Sequence, residues 1–157
     1  IYLLNRRFQQ HQEIIWKGHG AVQDRTIYED AIFAKSLVNL GLMDDRDYRT
    51  YLSLFRHMSN FMCRPNIIIY LDISPQTSYE RIQMRSRDVE SKISLEYLEM
   101  LHKEYEDFIE DIGRTIPVIR VPWEEFRSAE EMAKMIEKEY LQLSFIRNTS
   151  WTPTRGV

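Results

Sequence analysis

The chain has 157 residues, of which 43% are hydrophobic and 29% are charged, and its net charge is -3. This composition excludes an intrinsically disordered chain, and the negative balance argues against general binding to nucleic acid. The single cysteine, Cys63, excludes an internal disulfide, and no apolar run approaches the roughly 18 residues of a membrane span. We therefore expect one globular domain that binds neither membrane nor nucleic acid and lies in the cytoplasm, with the mitochondrion or another intracellular compartment as the alternative.

Helical periodicity is present from the first residue and continues to residue 16, in an apolar pattern formed by Leu4, Phe8, His11 and Ile15. The first residue is Ile1, and no capping residue precedes the pattern. We therefore expect that the chain begins inside a helix and that sequence is missing upstream.

The other predicted elements are, in chain order, strand 21–23, helix 30–40, helix 44–62, strand 67–73, a helix starting at Ser74-Pro75, helix 94–112, strand 116–121 and helix 128–143. The uniformly apolar strand 67–73 is typical of a parallel sheet that is covered on both faces. The alternation of strands and helices predicts an α/β fold, with a Rossmann-like parallel sheet flanked by helices. We expect this domain to occupy residues 1–143, followed by a flexible polar tail at 144–157.

Three arginines, Arg81, Arg85 and Arg87, are followed by an acid at Glu90. Arg81 and Arg85 lie one helical turn apart, where like charges repel unless an anion lies between them. Guanidinium groups offer paired donors that match phosphate oxygens. The cluster therefore predicts a polyphosphate clamp, with an ordinary solvated basic face as the alternative.

Asp24 and Arg25 follow the predicted strand 21–23, at the edge where open α/β sheets place ligands. The carboxylate suits a metal ion and the guanidinium suits a phosphate, although the two could also form a structural pair. Glu29 and Asp30 open the next helix, where acids either balance the helix dipole or bind a ligand.

Glu124-Glu125-Phe126 follows the last predicted strand. This segment is either the start of the final helix or a loop against which an adenine ring stacks.

In order and spacing, these motifs resemble those of the deoxyribonucleoside kinase family, and most of all its deoxyadenosine and deoxyguanosine kinases. Asp24-Arg25-Thr26, with the acids after it, is similar to the family's Glu-Arg-Ser or Asp-Arg-Ser motif. The stretch from Arg81 to Glu90, with the helix from Ser94, is similar to the family's lid and the helix behind it. The resemblance covers residues 1–143 and implies a fold of the P-loop kinase type.

The resemblance implies ATP as the phosphate donor, Mg2+ as the metal ion and a deoxynucleoside, with a purine base expected, as the substrate. Asp24 would hold Mg2+, and Arg25 would contact both the accepting 5′ oxygen and the transferring phosphoryl group. The lid residues Arg81, Arg85 and Arg87 would clamp the donor phosphates, with Arg25, Arg85 and Arg87 taking part in catalysis.

The resemblance also implies how the nucleoside and the donor base are held. Glu90 would bind the 3′-hydroxyl of the sugar, and Glu125 and Phe126 would lie near the donor adenine. Asp30 would read the substrate base. Counting back from Phe33 assigns that role to Glu29 instead, and we prefer Asp30 because its register needs no gap.

The family's glycine-rich phosphate loop, its general-base carboxylate and its base-reading glutamine do not occur in these 157 residues. We expect all three upstream, with the glutamine immediately before Ile1, and do not expect these residues alone to catalyse phosphoryl transfer.

Two alternatives to a deoxynucleoside kinase remain open. The first is a nucleoside monophosphate kinase of the thymidylate kinase type, against which Glu90 argues because it would repel an acceptor phosphate. The second is a non-catalytic structural relative. The resemblance also implies a homodimer formed through helices. Helix 44–62 supports this expectation, because it carries more apolar residues than one packing face usually needs.

Overall fold

The computed structural model describes residues 1–85, 87, 90 and 93–147, with side chains as far as 143. Within these residues the element order is α1 (Tyr2–Lys17), α2 (Ile27–Asn39), α3 (Asp45–Ser59), β1 (Ile68–Asp72), α4 (Pro75–Arg85), α5 (Leu95–Gly113), β2 (Val118–Pro122) and α6 (Ala129–Arg147). No helix of this described part is long and apolar enough to cross a membrane.

The two strands β1 and β2 pair in parallel, with Ile68 opposite Val118 and Asp72 opposite Pro122. Parallel neighbours need a long crossover, which here consists of α4 and α5. The predicted α/β architecture, with strands 67–73 and 116–121 parallel to each other, is therefore confirmed. The carboxyl ends of both strands lie at one edge, where Trp123 donates its backbone N–H to the carbonyl of Asp72 at 2.7 Å.

The predicted strand at 21–23 is wrong, because this segment has no regular secondary structure. Val22 is 95% exposed, and none of the described strands pairs with the segment. Three residues are too few to hold an extended backbone without a neighbouring strand that takes up their N–H and C=O groups. Asp24 and Arg25 consequently lie in an irregular turn that leads into α2.

Helix boundaries differ from the prediction where side chains from other elements intervene. α2 begins at Ile27 rather than Asp30, because Ile27 is fully buried and starts the inward-facing stripe that continues to Ala34. α3 ends at Ser59 rather than 62, because α1 side chains bind the carbonyl groups that follow it. Gln12 donates to Phe61 at 2.6 Å, and Nε2 of His11 lies 2.9 Å from the carbonyl of Cys63.

The starts of α3, α4 and α5 lie where the predicted helices begin, and each is capped by a side chain; of the three, Ser74 was predicted as a cap. Asp44 accepts the N–H of Asp47 at 2.8 Å, Ser74 accepts that of Thr77 at 3.2 Å, and Ser94 accepts that of Tyr97 at 3.2 Å. Such caps satisfy N–H groups that have no partner within the helix. The helical backbone of α6 runs to Arg147, beyond the boundary proposed at 143, and residues 148–157 of the expected tail lie outside the described residues.

The main core joins the first three helices around Leu4, Ile27, Ala34 and Tyr51. The apolar residues of α3 that suggested a spare surface pack against this core, namely Tyr48, Leu52, Phe55 and Met58. They are partly buried within one subunit, so they do not form the separate face from which we argued a dimer. On α3, Leu54 is the large apolar residue that remains exposed.

Candidate active site

Arg25 lies in the turn before α2 with a left-handed backbone, at φ 60°. Its side chain is 56% exposed, its Nε lies 4.0 Å from Oε1 of Glu29, and its guanidinium carbon lies 5.6 Å from the centre of the Phe33 ring. Few non-glycine residues adopt this backbone region, and those that do cluster at functional sites. The backbone conformation and both contacts direct a cationic group outward at the start of α2.

Glu29, on the first turn of α2, accepts a hydrogen bond from the hydroxyl of Tyr105 on α5. The ring of Tyr105 stacks on Tyr70 of β1 and meets Phe33 edge to face. Burial, and then the hydrogen bond to Glu29, raise the pKa of the Tyr105 hydroxyl, so it remains a donor at ordinary pH. Glu29 is therefore held from α5 and placed beside Arg25.

Asp30 is 8% exposed and forms an ion pair with Arg7 of α1. Its second oxygen, Oδ2, is buried and has no hydrogen-bond partner among the described residues. A buried carboxylate oxygen without a partner is unusual, and it is a place where a ligand would supply the missing donor. The adjacent acids Glu29 and Asp30 thus have different environments and different partners.

Tyr51 of α3 completes this buried polar group. Burial raises the pKa of its hydroxyl to about 12, and the nearby charge of Arg7 opposes that shift. The hydroxyl oxygen is buried and, like Oδ2 of Asp30, has no hydrogen-bond partner among the described residues.

We did not identify Arg7 from the sequence, although a signal was present. The inward stripe of α1 includes Leu4 and His11, and Arg7 falls between them at helical spacing. A charged residue on a buried face requires a buried partner.

The three arginines of the predicted clamp are divided between two places. Nη2 of Arg85 lies 3.0 Å from Oε2 of Glu90, and Nη1 of Arg87 lies 3.7 Å from Oε1 of the same carboxylate. Arg81 instead donates to the backbone carbonyl of Glu124 at 2.9 Å, and its guanidinium carbon lies 4.1 Å from the centre of the Phe126 ring. One part of the cluster is thus built around Glu90 and the other against the loop after β2.

Glu124 ties this loop to the start of α4, a role that the sequence did not indicate. Its carboxylate accepts the backbone N–H of Ser74 at 2.6 Å, the Ser74 hydroxyl at 3.2 Å and the Thr77 hydroxyl at 2.5 Å. These hydrogen bonds, that of Thr77 first, lower the pKa of Glu124. The neighbouring residues Glu125 and Phe126 are exposed beside this connection.

Asp24 is exposed and has no hydrogen bond or ion pair within the described part of the chain. No group of three or more His, Cys, Asp or Glu residues that could hold a metal occurs there either. A single free carboxylate fits Mg2+, which usually keeps several waters and takes its other ligands from substrate phosphates. It does not fit a metal that needs an all-protein cage.

The fold and these side chains define an α/β protein in which an exposed arginine and an exposed carboxylate precede a helix whose first turn carries the buried ion pair of Asp30 and Arg7. A profile of the family described as deoxynucleoside kinase matches residues 1–144. The chain belongs to this family, as the motifs suggested.

Among characterised relatives, a deoxyadenosine kinase from Dictyostelium discoideum is 56% identical over 156 residues, which is 99% of this chain and 63% of the relative. A deoxyadenosine/deoxycytidine kinase from Bacillus subtilis is 38% identical over 129 residues, which is 80% of this chain and 59% of the relative. The chain thus spans less than two thirds of the length of either protein.

A solved structure of deoxyadenosine kinase from M. mycoides with bound dCTP superposes with a TM-score of 0.74. It shares 30% sequence identity, and the match covers 90% of this chain and 70% of that one. A second structure of that kinase, with bound dATP, gives a TM-score of 0.71 at 31% identity. This similarity confirms a parallel α/β fold of the P-loop kinase type.

Proposed function

We propose that this protein transfers the γ-phosphoryl group of ATP to the 5′-hydroxyl of a deoxynucleoside with a purine base, a reaction of nucleotide salvage. The observation that carries the proposal is the buried ion pair of Asp30 and Arg7 with its unpartnered carboxylate oxygen. In this pair, Oδ2 of Asp30 could accept a hydrogen bond from a neutral base, and the guanidinium of Arg7 beside it could donate one. Asp30 lies five positions after the exposed Arg25. The family and the relatives named above support the same chemistry.

Asp30 and Arg7 together suit the Watson–Crick edge of adenine. The amino group of that edge would donate to Oδ2 of Asp30, and the adjacent ring nitrogen would accept from Arg7. Hydrogen bonds to charged groups contribute about 1.5–3 kcal/mol each, enough to select among bases. Because Arg7 also neutralises the carboxylate, a neutral base can bind here without leaving a buried charge unpaired.

Arg25 would contact the accepting 5′ oxygen and the transferring phosphoryl group. Arg85 and Arg87 would bind the donor phosphates from the opposite side. Phosphoryl transfer has a loose transition state, so these residues act by positioning and by neutralising charge. Asp24 would hold Mg2+, which would supply positive charge to neutralise the donor phosphates.

Glu90 would exchange one partner for another during the reaction. Glu90 forms ion pairs with both Arg85 and Arg87, so the two guanidinium groups converge on one carboxylate. In the complex the donor phosphates would take over both arginines, and Glu90 would accept the 3′-hydroxyl of the sugar. Binding of the nucleoside and of the donor would then act jointly to position Arg85, Arg87 and Glu90 of the lid.

The donor base would lie against the loop after β2. Phe126 is an exposed ring with the guanidinium of Arg81 stacked on it, and Glu125 beside it is exposed. A flat aromatic base can stack on such a pair. Arg81, Glu125 and Phe126 would therefore form the ATP base site, while Arg81 also stays within reach of the phosphates.

We also propose that the protein forms a homodimer through its helices. The remaining exposed apolar side chains on the core helices include Leu3 of α1 and Leu54 of α3, which lie on the outside of the helical layer. Burying them between two copies would remove apolar surface from water.

The proposal is tested by incubating the full-length protein with ATP, Mg2+ and each deoxynucleoside, and separating the products. The expected product is a 5′-monophosphate, with a purine nucleoside preferred. Asp30→Asn keeps the shape of the side chain but presents a donor, so it should change the ranking of the bases. Glu29→Gln, the matched control on the adjacent residue, should leave the ranking as it is.

Transfer to nucleoside monophosphates but not to nucleosides would replace this function with that of a monophosphate kinase. Absence of any transfer would favour the structural relative. A ranking that changes with Glu29→Gln and not with Asp30→Asn would move base recognition to Glu29.

A further inference from the structure

Tyr105 of α5 makes well-defined contacts at the site, yet the proposed reaction assigns it no role. Its ring centre lies 6.2 Å from that of Tyr70 with an angle of 17° between the planes, and 6.2 Å from that of Phe33 at 85°. An offset stack on one side and an edge contact on another are both favourable aromatic geometries. The direction of the Tyr105 hydroxyl is therefore fixed by β1 and α2 together.

That hydroxyl donates to Oε1 of Glu29, the same oxygen that lies 4.0 Å from Nε of Arg25. The Glu29 side chain is only 19% exposed, so its position is set by the protein rather than by solvent. Phe33 contacts both ends of this arrangement, because its ring meets Tyr105 edge to face and also lies under the guanidinium of Arg25. Tyr105, Glu29, Phe33 and Arg25 form one contiguous cluster.

We propose that Tyr105 is a positioning residue for phosphoryl transfer: its hydroxyl fixes Glu29, and Glu29 together with Phe33 holds the Arg25 guanidinium at the acceptor oxygen. This inference rests on the proposed function, which gives Arg25 its task. An arginine with a half-exposed side chain has many rotamers, and ordering it only on substrate binding would reduce the rate. The cluster orders it beforehand, from a neighbouring helix and a strand.

The hydroxyl of Tyr105 is a constant donor. Burial and the contact with Glu29 both raise its pKa, so the proton stays on the tyrosine over the working pH range. One oxygen of Glu29 is thus committed to Tyr105. Its charge is still available to Arg25.

Tyr70 provides a matched control, because it is the ring on which Tyr105 stacks. Its own hydroxyl binds Glu106, whose carboxylate takes the paired donors of Arg120 at 3.0 and 2.8 Å. Tyr70→Phe therefore removes a hydroxyl from the same aromatic stack without touching Glu29 or Arg25.

The first test compares the turnover of the full-length protein with those of Tyr105→Phe and Tyr70→Phe. Tyr105→Phe keeps the ring and should lower kcat about tenfold with little change in KM for either substrate, less than the roughly hundredfold that a 1 Å misplacement can cause. Tyr70→Phe should keep the kcat of the native protein. Equal kcat for Tyr105→Phe and the native protein would overturn the inference.

The second test asks whether Tyr105 acts through Glu29. In a protein that already carries Glu29→Ala, the further change Tyr105→Phe should lower kcat less than twofold, because the link to Arg25 is already broken. A full tenfold loss in that background would show that Tyr105 affects turnover by another route, and the inference would fail.

The third test does not depend on activity. The Nε–H signal of Arg25 in a nitrogen-15 NMR spectrum is assigned by its loss in Arg25→Lys. It should move to the position of exposed arginines in Tyr105→Phe and stay in place in Tyr70→Phe. If the native protein phosphorylates no deoxynucleoside, the proposed function fails, and this spectrum still decides whether Tyr105 holds Arg25. A signal unmoved in Tyr105→Phe would overturn the inference whatever the turnover.

Discussion

At the scale of single residues, the left-handed backbone of Arg25 is the feature with the clearest energetic consequence. A residue with a Cβ pays about 1–2 kcal/mol to adopt this conformation, whereas glycine does not. The guanidinium is therefore held in place at some expense of stability. Strain of this kind at a charged, exposed residue supports a functional role for the side chain.

Two substitutions separate the backbone of Arg25 from its side chain. Arg25→Ala and Arg25→Gly both remove the guanidinium, but only glycine relieves the left-handed conformation. The free energy of unfolding, measured with urea, should be about 1 kcal/mol higher for Arg25→Gly than for Arg25→Ala, after allowing for the greater freedom of glycine in the unfolded chain. If alanine is the more stable of the two, the left-handed conformation does not persist in solution.

Single residues could be predicted from the sequence where their partners are close in the chain. Asp24, Arg25, Glu29 and Asp30 form one short motif, and we named all four as candidates. Arg7 and Tyr105 were missed, as was the role of Glu124, because each contacts a residue in a distant segment. Tyr105 and Glu29, for example, are 76 positions apart. Only the packing of α5 against α2 brings that pair together.

At the scale of elements, the link between α4 and the loop after β2 combines the hydrogen bonds of Glu124 with the contacts of Arg81. Glu124→Ala would release Ser74 and Thr77 at the start of α4 and loosen the loop that carries Phe126. Because Phe126 is proposed to hold the donor base, KM for ATP should rise several-fold while KM for the nucleoside stays nearly constant.

Glu131→Ala is the matched control for the loss of an acidic cap. Glu131 accepts the N–H and the hydroxyl of Ser128 at the start of α6 and makes none of the contacts that tie Glu124 to α4. This variant should change stability without changing KM for ATP. Equal changes in both KM values for Glu124→Ala would mean that the loop serves the fold generally and not the donor.

A second element-scale contact joins α5 to β2 and depends on pH. The hydrogen bonds from Arg120 lower the pKa of Glu106 below its ordinary value of 4.5. Since the folded-state pKa lies below the unfolded one, this contact stabilises the fold fully above pH 4.5, and the stabilisation is lost as the pH falls through the folded-state value.

Glu106→Gln should therefore unfold at a lower temperature than the native protein at pH 7. The difference should shrink on acidification from pH 4.5 towards pH 3, where the native carboxyl is also protonated. The thermal midpoint of both proteins, measured across this range, checks the expectation. A difference that is constant with pH would mean that the pair of Glu106 and Arg120 makes no electrostatic contribution.

The elements themselves could be predicted well where a local signal exists. The caps Asp44, Ser74 and Ser94 set the starts of three helices through hydrogen bonds within one turn. The strand at 21–23 was wrong because a strand is stabilised by its neighbours, and three apolar or neutral residues say nothing about them. The end of α3 was misplaced for a related reason, since the side chains of His11 and Gln12 come from a different helix.

At the scale of the whole molecule, the proposed homodimer is open to direct measurement. Light scattering of the full-length protein at micromolar concentration should give twice the mass of one chain. Leu54→Glu and Leu3→Glu together should give the mass of one chain with unchanged circular dichroism, because charges would then face each other in the interface. A native protein that is monomeric at this concentration would contradict the dimer.

The exposed edge of the two-stranded sheet predicts a second source of large particles in light scattering, distinct from a dimer. On β1 the side chains of Ile69 and Leu71 are 38% and 43% exposed, and within the described residues only one side of the strand is paired. An uncovered strand edge beside apolar side chains is a common starting point for aggregation. The 157-residue chain on its own should therefore be colloidally unstable, with particles that grow with concentration and time and have no defined stoichiometry. Lysine in place of Ile69 should suppress such growth, whereas charges on Leu3 and Leu54 should not.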